Sequence, residues 1–453
     1  MTEPTARPSG PGSAALPPGP GPEHLSGTEL RAWLARPVDA ASLHVFRRLF
    51  GLLMLASVIR FAVRGWIADI YVDPAVHFPF WGLDWLRPWP GVGMYIHFAA
   101  LGAAALALAL ARSPRLPALV FFALFTWVEL LEQTAYLNHY YLVSLLALLL
   151  ALLPPSDRAH APRWTLVALR LQVGLVYVFA GLAKLRGDWL LAAQPLRTWL
   201  KGHADFPLLG PLFARPETAH VMSWAGAAFD LTAPFLLLHP RTRPFAFAAV
   251  VLFHALTGLL FPIGMFPWIM ACSALLLFPP DWPRRLARTL GRPAPVPPVS
   301  PVAPLSRLGL AGLAAYFAVQ LTLPLRHHIY PGDVGWTEEG FRYAWHVMLV
   351  EKTGMVTYRV VDPASGRTFI VHPEDTLTPQ QAKQMAISPD LILQHAHRIA
   401  GEFAARGLPD VAVYADAFVA YNGRPGARLI DGSADLAHAR DTLAPKPWIL
   451  PVP

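Results

Sequence analysis

The sequence predicts an all-α polytopic membrane bundle of about nine transmembrane helices, followed by a small C-terminal α+β domain outside the membrane. Apolar residues make up 54% of the 453-residue chain and charged residues only 15%, whereas a soluble domain is about 25% charged. Several apolar runs approach the ~20 residues that cross a bilayer. After about His327 these runs stop and charge increases. A soluble all-helical enzyme is the weaker alternative.

The chain divides into three predicted parts. Residues 1–27 are rich in Pro, Gly and Ser and lack the apolar core of a signal peptide, which is typical of a disordered cytoplasmic tail. Residues 28–326 form the membrane domain, and residues 327–453 form the C-terminal domain. The predicted spans are 47–65, 94–111, 116–135, 136–153, 164–185, 220–238, 244–260, 262–279 and 306–325.

The charges between these spans predict the orientation. Arginine dominates alternate connections, and basic loops mark the cytoplasmic side. This places the N-terminus in the cytoplasm and the C-terminal domain outside, and a bacterial inner membrane is the expected location. Because these arginines lie in short loops, the formal charge of +8 does not indicate nucleic-acid binding. The residues concerned are Arg112, Arg115, Arg158, Arg163, Arg241, Arg243, Arg284, Arg285, Arg288 and Arg292, against Asp157 and Asp281.

The C-terminal domain is predicted to contain two hairpins and one helix. Residues 356–361 and 367–371 flank a turn sequence, DPASG, and residues 411–420 and 427–431 flank Asn422-Gly423. Residues 388–406 have helical spacing.

Ionisable groups inside spans are costly and are therefore candidates for function. Lys184, His139 with Asn138, His254 and Glu132 come from four predicted helices but share one level of the membrane. Three of them have a structural alternative: Lys184 as a lysine that extends to the interface, His139 as an interfacial hydrogen-bonding residue, and His254 as a helix-packing residue. Partial burial disfavours an ammonium ion, and a neutral amine is a competent general base. No metal site is predicted.

Two further features lie near this level or below it. Arg170 and Asp230 have similar depths, and we expect them to form a buried ion pair. Residues 261–267, FPIGMFP, form a Gly- and Pro-broken turn, either a plain helical hairpin or a re-entry that lines a cavity. Phe261, Met265 and Phe266 suit an apolar planar ligand.

Seven stretches, taken together and in this order, resemble the vitamin K-dependent γ-glutamyl carboxylase family, also called the HTTM (horizontally transferred transmembrane) family. The similarity extends from about residue 37 to about residue 437, and it is to a short, bacterial-type member, since animal members continue much further. The stretches are 37–51 (PVDAASLHVFRRLFG), 138–142 (NHYYL), 169–172 (LRLQ), 178–189 (VFAGLAKLRGDW), 229–232 (FDLT), 260–266 (LFPIGMF) and 343–348 (YAWHVM).

The resemblance implies a reaction. Lys184 matches the lysine that deprotonates the hydroquinone of vitamin K, and His139 matches a histidine that assists it. The cofactor is a reduced vitamin K or menaquinone-type naphthoquinone, with O2 and CO2 as co-substrates and no metal. Oxidation to the 2,3-epoxide generates a strong base that removes a γ-proton from a peptide glutamate, which CO2 then carboxylates. Asn138 and His254 are further candidates for cofactor binding, with Phe261, Met265 and Phe266.

The implied partners are the lipid bilayer, a lipid quinone and a secreted glutamate-containing peptide or protein. The sequence departs from the family at Ala183, where a second lysine is usual, and residues 370–385 lack the aromatic and basic cluster associated with holding the glutamate. Quinone chemistry is therefore better supported than peptide carboxylation. The alternatives are a quinol epoxidase or oxidase on the same scaffold, and a non-catalytic membrane scaffold or transporter.

Overall fold

The structure, a computed structural model, describes residues 26–152, 159–295, 298–299, 302 and 304–453. Residues 1–25 of the predicted tail lie outside the described residues, as do Asp157 and Arg158 of one predicted loop. The first helix begins at Gly27, where the Ser26 hydroxyl accepts the Glu29 backbone N–H and the Glu29 carboxylate accepts the Ser26 N–H. This reciprocal capping explains why the chain becomes helical at that point.

Helices form most of the chain before the C-terminal domain. In chain order they are α1 (Gly27–Ala35), α2 (Ala41–Val63), α3 (Gly93–Leu110), α4 (Arg115–Leu131), α5 (Asn138–Leu152), α6 (Arg163–Ala183), α7 (Gly187–Leu190), α8 (Leu196–Lys201), α9 (Gly210–Phe213), α10 (Pro216–Leu238), α11 (Arg243–Leu260), α12 (Phe266–Ala274), α13 (Trp282–Thr289) and α14 (Arg307–Thr322). A short antiparallel pair, β1 (Pro37–Asp39) and β2 (His160–Pro162), joins the segments before α2 and α6.

A helix lies at each of the nine predicted spans, but fewer helices qualify as spans. By length and composition, five helical segments of the described chain can cross a membrane: Gly93–Leu110, Arg163–Ala183, Pro216–Leu238, Arg243–Leu260 and Arg307–Ile329. α4 has 17 residues, α5 has 15 and α12 has 9. α2 is long enough but carries Arg47, Arg48 and Arg60. The membrane bundle is therefore supported, and the number of nine spans is not confirmed.

The closest helix contact that bears on the site is between α6 and α10. A Cβ on Gly181 would lie 2.7 Å from the Leu231 side chain and 2.9 Å from the Leu231 backbone nitrogen. Only glycine permits this approach. The absence of a side chain at Gly181 therefore allows α10 to pack directly against the last turn of α6.

The C-terminal domain has a four-stranded antiparallel sheet in the order β4-β3-β5-β6. The predicted hairpins and helix are confirmed: Val361 pairs with Thr368, Val419 pairs with Ala427, and the helix covers the predicted segment. Two short helices, α15 and α16, were not predicted. The elements are α15 (Val334–Thr337), β3 (Lys352–Val361), β4 (Thr368–Val371), α16 (Pro379–Met385), α17 (Pro389–Ala405), β5 (Ala412–Tyr421) and β6 (Ala427–Arg428).

The C-terminal domain rests on one end of the bundle, hereafter the domain end. The Arg424 guanidinium donates to both carboxylate oxygens of Asp188 at 2.9 and 2.6 Å, and the Asn422 amide donates to the same carboxylate at 2.9 Å. The hydrogen bond from Arg424 lowers the pKa of Asp188 below its ordinary value. Arg186 also forms an ion pair with Asp333. Polar contacts therefore fix the domain over the ends of α6 and α7.

Candidate active site

Lys184 lies at the end of α6, but its side chain is directed into the protein. The residue is 4% exposed, and its Nζ lies 2.8 Å from a carboxylate oxygen of Asp230 on α10. The ammonium also donates to the Ala180 carbonyl at 3.3 Å, one turn back along its own helix. A lysine that extended to the interface would be exposed, so the structure argues against that alternative.

The predicted ion pair between Arg170 and Asp230 is wrong. Arg170 donates to the carbonyl oxygens of Leu276 and Phe278 at 2.8 and 2.6 Å, where the segment after α12 ends. Asp230 instead faces Lys184, because helical side chains tilt towards the N-terminus and the Lys184 side chain therefore reaches back along α6. The close approach at Gly181 completes the geometry, since Asp230 directly precedes Leu231.

Lys184 and Asp230 line a small apolar cavity, the Lys184 cavity, of about 70 Å³. The Tyr177 hydroxyl lies 3.2 Å from Nε2 of His254, while Nδ1 of His254 is buried and has no hydrogen-bond partner in the described chain. The lining residues are Val176, Tyr177, Ala180, Lys184, Trp189, Leu196, Met222, Gly226, Asp230, Phe253, His254, Thr257, Phe261, Phe266, Met270, Val347 and Met348. The ion pair and one imidazole therefore face a mainly apolar space.

His139 lines a different and much larger space, the His139 cleft, of about 880 Å³. This cleft lies between the domain end of the bundle and the C-terminal domain, since Arg60 and His139 line it together with Gln380 and Gln384 of α16. Its other lining residues include Trp66, Asp69, Asp73, Glu132, Asn138, Gly264, Met265, Phe266, Val347 and Met348. The two predicted catalytic residues thus face two adjoining cavities.

Three residues line both spaces: Phe266, Val347 and Met348. The centre of the Phe266 ring lies 5.9 Å from the centre of the His139 ring and also 5.9 Å from that of His254. Phe266 therefore stands between the histidine of the cleft and the histidine of the Lys184 cavity.

Val347 and Met348 belong to residues 341–348, hereafter the cavity loop, which has an unusual backbone. Tyr343, Trp345 and Met348 have positive φ values of 62°, 60° and 56°. Such conformations cost about 1–3 kcal/mol each for residues other than glycine and are concentrated at functional sites. Three side chains from the bundle hold the loop in place.

The contacts that hold the cavity loop come from α5 and the residues before it. The Tyr136 hydroxyl accepts the Tyr343 N–H at 2.8 Å, the Asn138 amide donates to the His346 carbonyl at 3.2 Å, and Tyr141 stacks on Trp345 with 5.2 Å between ring centres. Burial also lowers the pKa of His346 to about 3, so its imidazole is neutral at physiological pH. Asn138 therefore positions the loop as well as lining the cleft.

The structure divides the predicted site residues between the two adjoining spaces. Lys184, His254 and Phe261 line the Lys184 cavity, Asn138, His139 and Met265 line the cleft, and Phe266 lines both. Glu132 lines the cleft but serves the domain contact. It accepts from the Thr134 hydroxyl at 2.6 Å and from the Gln381 amide at 3.2 Å.

Sequence reasoning missed Asp230 as the partner of Lys184, the cavity loop as a shared wall, and Arg60. The matching stretch 343–348 was a signal for the loop. Within the described ranges, no three His, Cys, Asp or Glu side chains lie close enough together to hold a metal ion.

Two family models match the chain. The HTTM domain matches residues 35–282, and the lumenal domain of vitamin K-dependent gamma-carboxylase matches residues 305–453. No solved structure matches the chain. The first match covers the helices that carry Lys184, His139 and Asp230, and the second covers the cavity loop and the C-terminal sheet. Since the matches extend over most of the sequence, the chain belongs to the vitamin K-dependent γ-glutamyl carboxylase (HTTM) family.

Proposed function

We propose that this integral membrane protein oxidises a reduced vitamin K or menaquinone-type naphthoquinone with O2 to the 2,3-epoxide, and couples this to carboxylation of peptide glutamate by CO2. The observation that carries the proposal is the Lys184–Asp230 pair, buried at 2.8 Å in an apolar cavity. Burial of a charge pair costs desolvation free energy. A pair that is retained inside a membrane bundle is therefore a candidate for function.

The chemical character of the residues around the Lys184 cavity suits a quinol, and the space of about 70 Å³ must widen to admit one. A naphthoquinol has flat apolar faces and two hydroxyl groups at opposite edges. The walls supply aromatic rings and methionines for the faces. Polar groups are few: Lys184, Asp230, Tyr177, Thr257 and the unpartnered Nδ1 of His254, which is a buried hydrogen-bonding atom without a protein partner. Such an orphaned atom needs a ligand or a water molecule.

Lys184 and Asp230 can move a proton between them. With its proton on Asp230, Lys184 is a neutral amine, and it can then accept a proton from a quinol hydroxyl. Asp230 would thus act as a positioning residue and proton store for the base. His139, on the far side of Phe266, would assist from the cleft, whose volume of about 880 Å³ would accommodate part of a peptide.

The quinol supplies the reducing equivalents. One quinol and one O2 give one epoxide and one water, and the strong base formed in that oxidation takes the γ-proton of glutamate. CO2 then adds to the γ-carbon, so each carboxylation also yields one proton. The mainly apolar lining of the Lys184 cavity would limit the entry of water and so protect these reaction steps from side reactions.

We place the N-terminus in the cytoplasm and the C-terminal domain outside, in a bacterial inner membrane, with all nine apolar helices as spans. The basic connections at the end of the bundle opposite the C-terminal domain support this orientation. A lipid quinone would then reach the Lys184 cavity through the bilayer, since α11 bears His254 and exposes Phe245, Val251, Leu252 and Leu259.

The test uses purified protein in lipid nanodiscs with reduced vitamin K, O2, bicarbonate and a glutamate-rich peptide, assayed for both epoxide and γ-carboxyglutamate. We expect wild type to form both and Lys184→Ala to form neither, because the base is gone. Lys201→Ala, an exposed lysine on α8, is the matched control and should retain activity. If a folded Lys184→Ala protein formed epoxide at the wild-type rate, Lys184 could not be the base.

A second candidate is a quinol epoxidase that carboxylates no peptide. It is favoured by one observation: Phe266, Val347 and Met348 stand between the Lys184 cavity and the cleft where a peptide fits. The same assay separates the two, because this candidate forms epoxide without γ-carboxyglutamate. Neither product from folded wild type offered several quinols would instead favour a non-catalytic scaffold or transporter.

A further inference from the structure

Arg60 is a half-buried arginine in the wall of the His139 cleft. It lies in the last turn of α2, at the domain end. Its guanidinium has no carboxylate within 4.0 Å and donates no hydrogen bond to any residue that the structure describes. An arginine side chain has five N–H donors. Because those of Arg60 have no protein acceptor in the described chain, they are available to a ligand in the cleft.

Several other partly or fully buried arginines in this protein donate to protein oxygen atoms. Arg47 donates to the carbonyl oxygens of Leu108 and Ala111, and Arg170 to those of Leu276 and Phe278. Arg342 forms an ion pair with Asp390 at 2.7 Å. Arg60 differs from these three. Arg163 and Arg359 are also half-buried and lie over an aromatic ring without a side-chain hydrogen bond in the described chain, but neither lines the His139 cleft.

The Arg60 guanidinium is nevertheless held in one orientation. Its central carbon lies 4.7 Å from the centre of the Trp66 ring, a cation–π contact. On another side it lies against Gly264, where a Cβ would be 3.4 and 3.6 Å from the two terminal nitrogens. Contacts with a ring face and a glycine fix the planar group without using its N–H donors. This is the preorganisation that two-point carboxylate binding requires.

The acidic residues of the cleft do not neutralise Arg60. Glu132 is occupied by the Thr134 hydroxyl, the Gln381 amide and His77. Asp69 and Asp73 are exposed, and neither forms an ion pair within the described chain. Arg60 is thus an oriented cation beside His139.

We propose that Arg60 binds the γ-carboxylate of the peptide glutamate and holds its γ-carbon near His139 and the Phe266 wall. Arg60 is a positioning residue, and the inference rests on the proposed function. The opposite wall suits a peptide main chain, because Gln380 and Gln384 of α16 carry amides that can both donate and accept. The carboxylate-binding group then comes from α2 of the bundle. Residues 370–385 contain no arginine and only one lysine, Lys383.

The test measures peptide binding directly, so that it does not depend on catalysis. A fluorescent glutamate-rich peptide and the same peptide with glutamine in place of glutamate are titrated against protein in nanodiscs, with anisotropy as the readout. We expect wild type to prefer the glutamate peptide at least tenfold. Arg60→Gln should weaken glutamate binding roughly 10- to 100-fold, the loss expected for charge-assisted hydrogen bonds, and leave glutamine binding unchanged. Arg60→Lys should restore part of the preference.

Arg64→Gln is the matched control, because Arg64 is exposed one turn further along and does not line the cleft. Its peptide affinity should equal that of wild type. Bicarbonate, a second source of a carboxylate-like anion, is titrated as a competitor and should not displace the peptide at millimolar concentration.

The inference would be overturned by equal glutamate affinity in wild type and Arg60→Gln, by equal loss for both peptides, or by displacement by bicarbonate. A wild type that binds neither peptide, or both alike, also overturns it. Failure of the proposed function is separate, since it appears as absence of epoxide from wild type in the activity assay. A selective Arg60→Gln effect on binding would stand whatever that assay shows.

Discussion

The Lys184 cavity and the His139 cleft share three wall residues, but the cation that lines each space differs in burial and in pairing. In the cavity of about 70 Å³, Lys184 is buried and paired with Asp230. In the cleft of about 880 Å³, Arg60 is half-buried, stacked and unpaired. A paired cation can exchange a proton with its partner, whereas an unpaired and oriented one can bind an anion. We therefore propose proton transfer in the first space and carboxylate binding in the second.

The largest effect should come from breaking the pair in the cavity. Asp230→Asn removes the group that can hold the Lys184 proton, so we expect quinol epoxidation to fall more than 100-fold. Removing one partner of a buried pair also costs about 3–5 kcal/mol, which should lower the melting temperature. Asp205→Asn, an exposed carboxylate, is the control.

A double variant separates stability from chemistry. Lys184→Met with Asp230→Leu replaces the pair by apolar side chains of similar size, which is often neutral or stabilising. The melting temperature should recover while epoxidation stays absent. Wild-type activity in Asp230→Asn would show that Lys184 works without this partner.

The next effect concerns the helix contact that creates the pair. Gly181→Ala places a methyl group 2.7 Å from the Leu231 side chain, so α6 and α10 must separate. Overpacking of this kind costs about 1–3 kcal/mol, measurable by chemical or thermal unfolding. Gly174→Ala on the same helix is the matched control, because its nearest neighbour is Pro234 at 3.9 Å. Equal unfolding of the two variants would contradict the close-approach argument.

A smaller effect should follow from removing the wall. Phe266→Ala joins the cavity to the cleft and admits water to the base. We expect epoxide formation within about tenfold of wild type, and a several-fold fall in γ-carboxyglutamate formed per epoxide, because water competes for the base. Phe245→Ala, at an exposed position on α11, should leave that ratio unchanged. An unchanged ratio in Phe266→Ala would remove the argument for a partition.

The smallest effect concerns pH and the contact that holds the domain over both spaces. The hydrogen bond from Arg424 lowers the pKa of Asp188, so this pair stabilises the folded state above the unfolded value of about 3.9. The contribution is lost as pH falls through the lower folded value. Both groups are partly exposed, which limits it to at most about 1 kcal/mol.

The measurement for this pair is the difference in melting temperature between wild type and Arg424→Gln. The difference should be constant from pH 8 to pH 5 and should shrink below about pH 4. A difference that grows on acidification would have the wrong sign.

The sequence was a good guide to where helices and strands lie, because apolar runs and turn residues are local signals. It was a poor guide to lateral contacts. Arg170 and Asp230 have comparable depths, but depth does not reveal which way a side chain faces around its helix, and Lys184 takes Asp230 instead. Apolarity alone also does not decide whether a helix crosses the membrane. For example, α4 is apolar but has only 17 residues and contains a buried Glu129.

Arg60 carried almost no local signal, and Met348 had one only as part of the family-like stretch 343–348. Arg60 is one arginine among many, and its importance depends on Trp66 and on Gly264, some 200 residues away in the chain. Met348 lines the Lys184 cavity only because the cavity loop adopts left-handed φ values. The positions of both residues depend on tertiary contacts, which the spacing of residues along the chain does not predict.

The shared wall also has a thermodynamic consequence. Any occupant of the Lys184 cavity touches Val347 and Met348, and therefore contacts the loop that leads into the C-terminal sheet as well as the helices. An occupant that binds only the folded chain stabilises it by about 2.7 kcal/mol at a hundredfold excess over its Kd. We expect the C-terminal domain to share part of that free energy, so its unfolding temperature should increase as the Lys184 cavity becomes occupied.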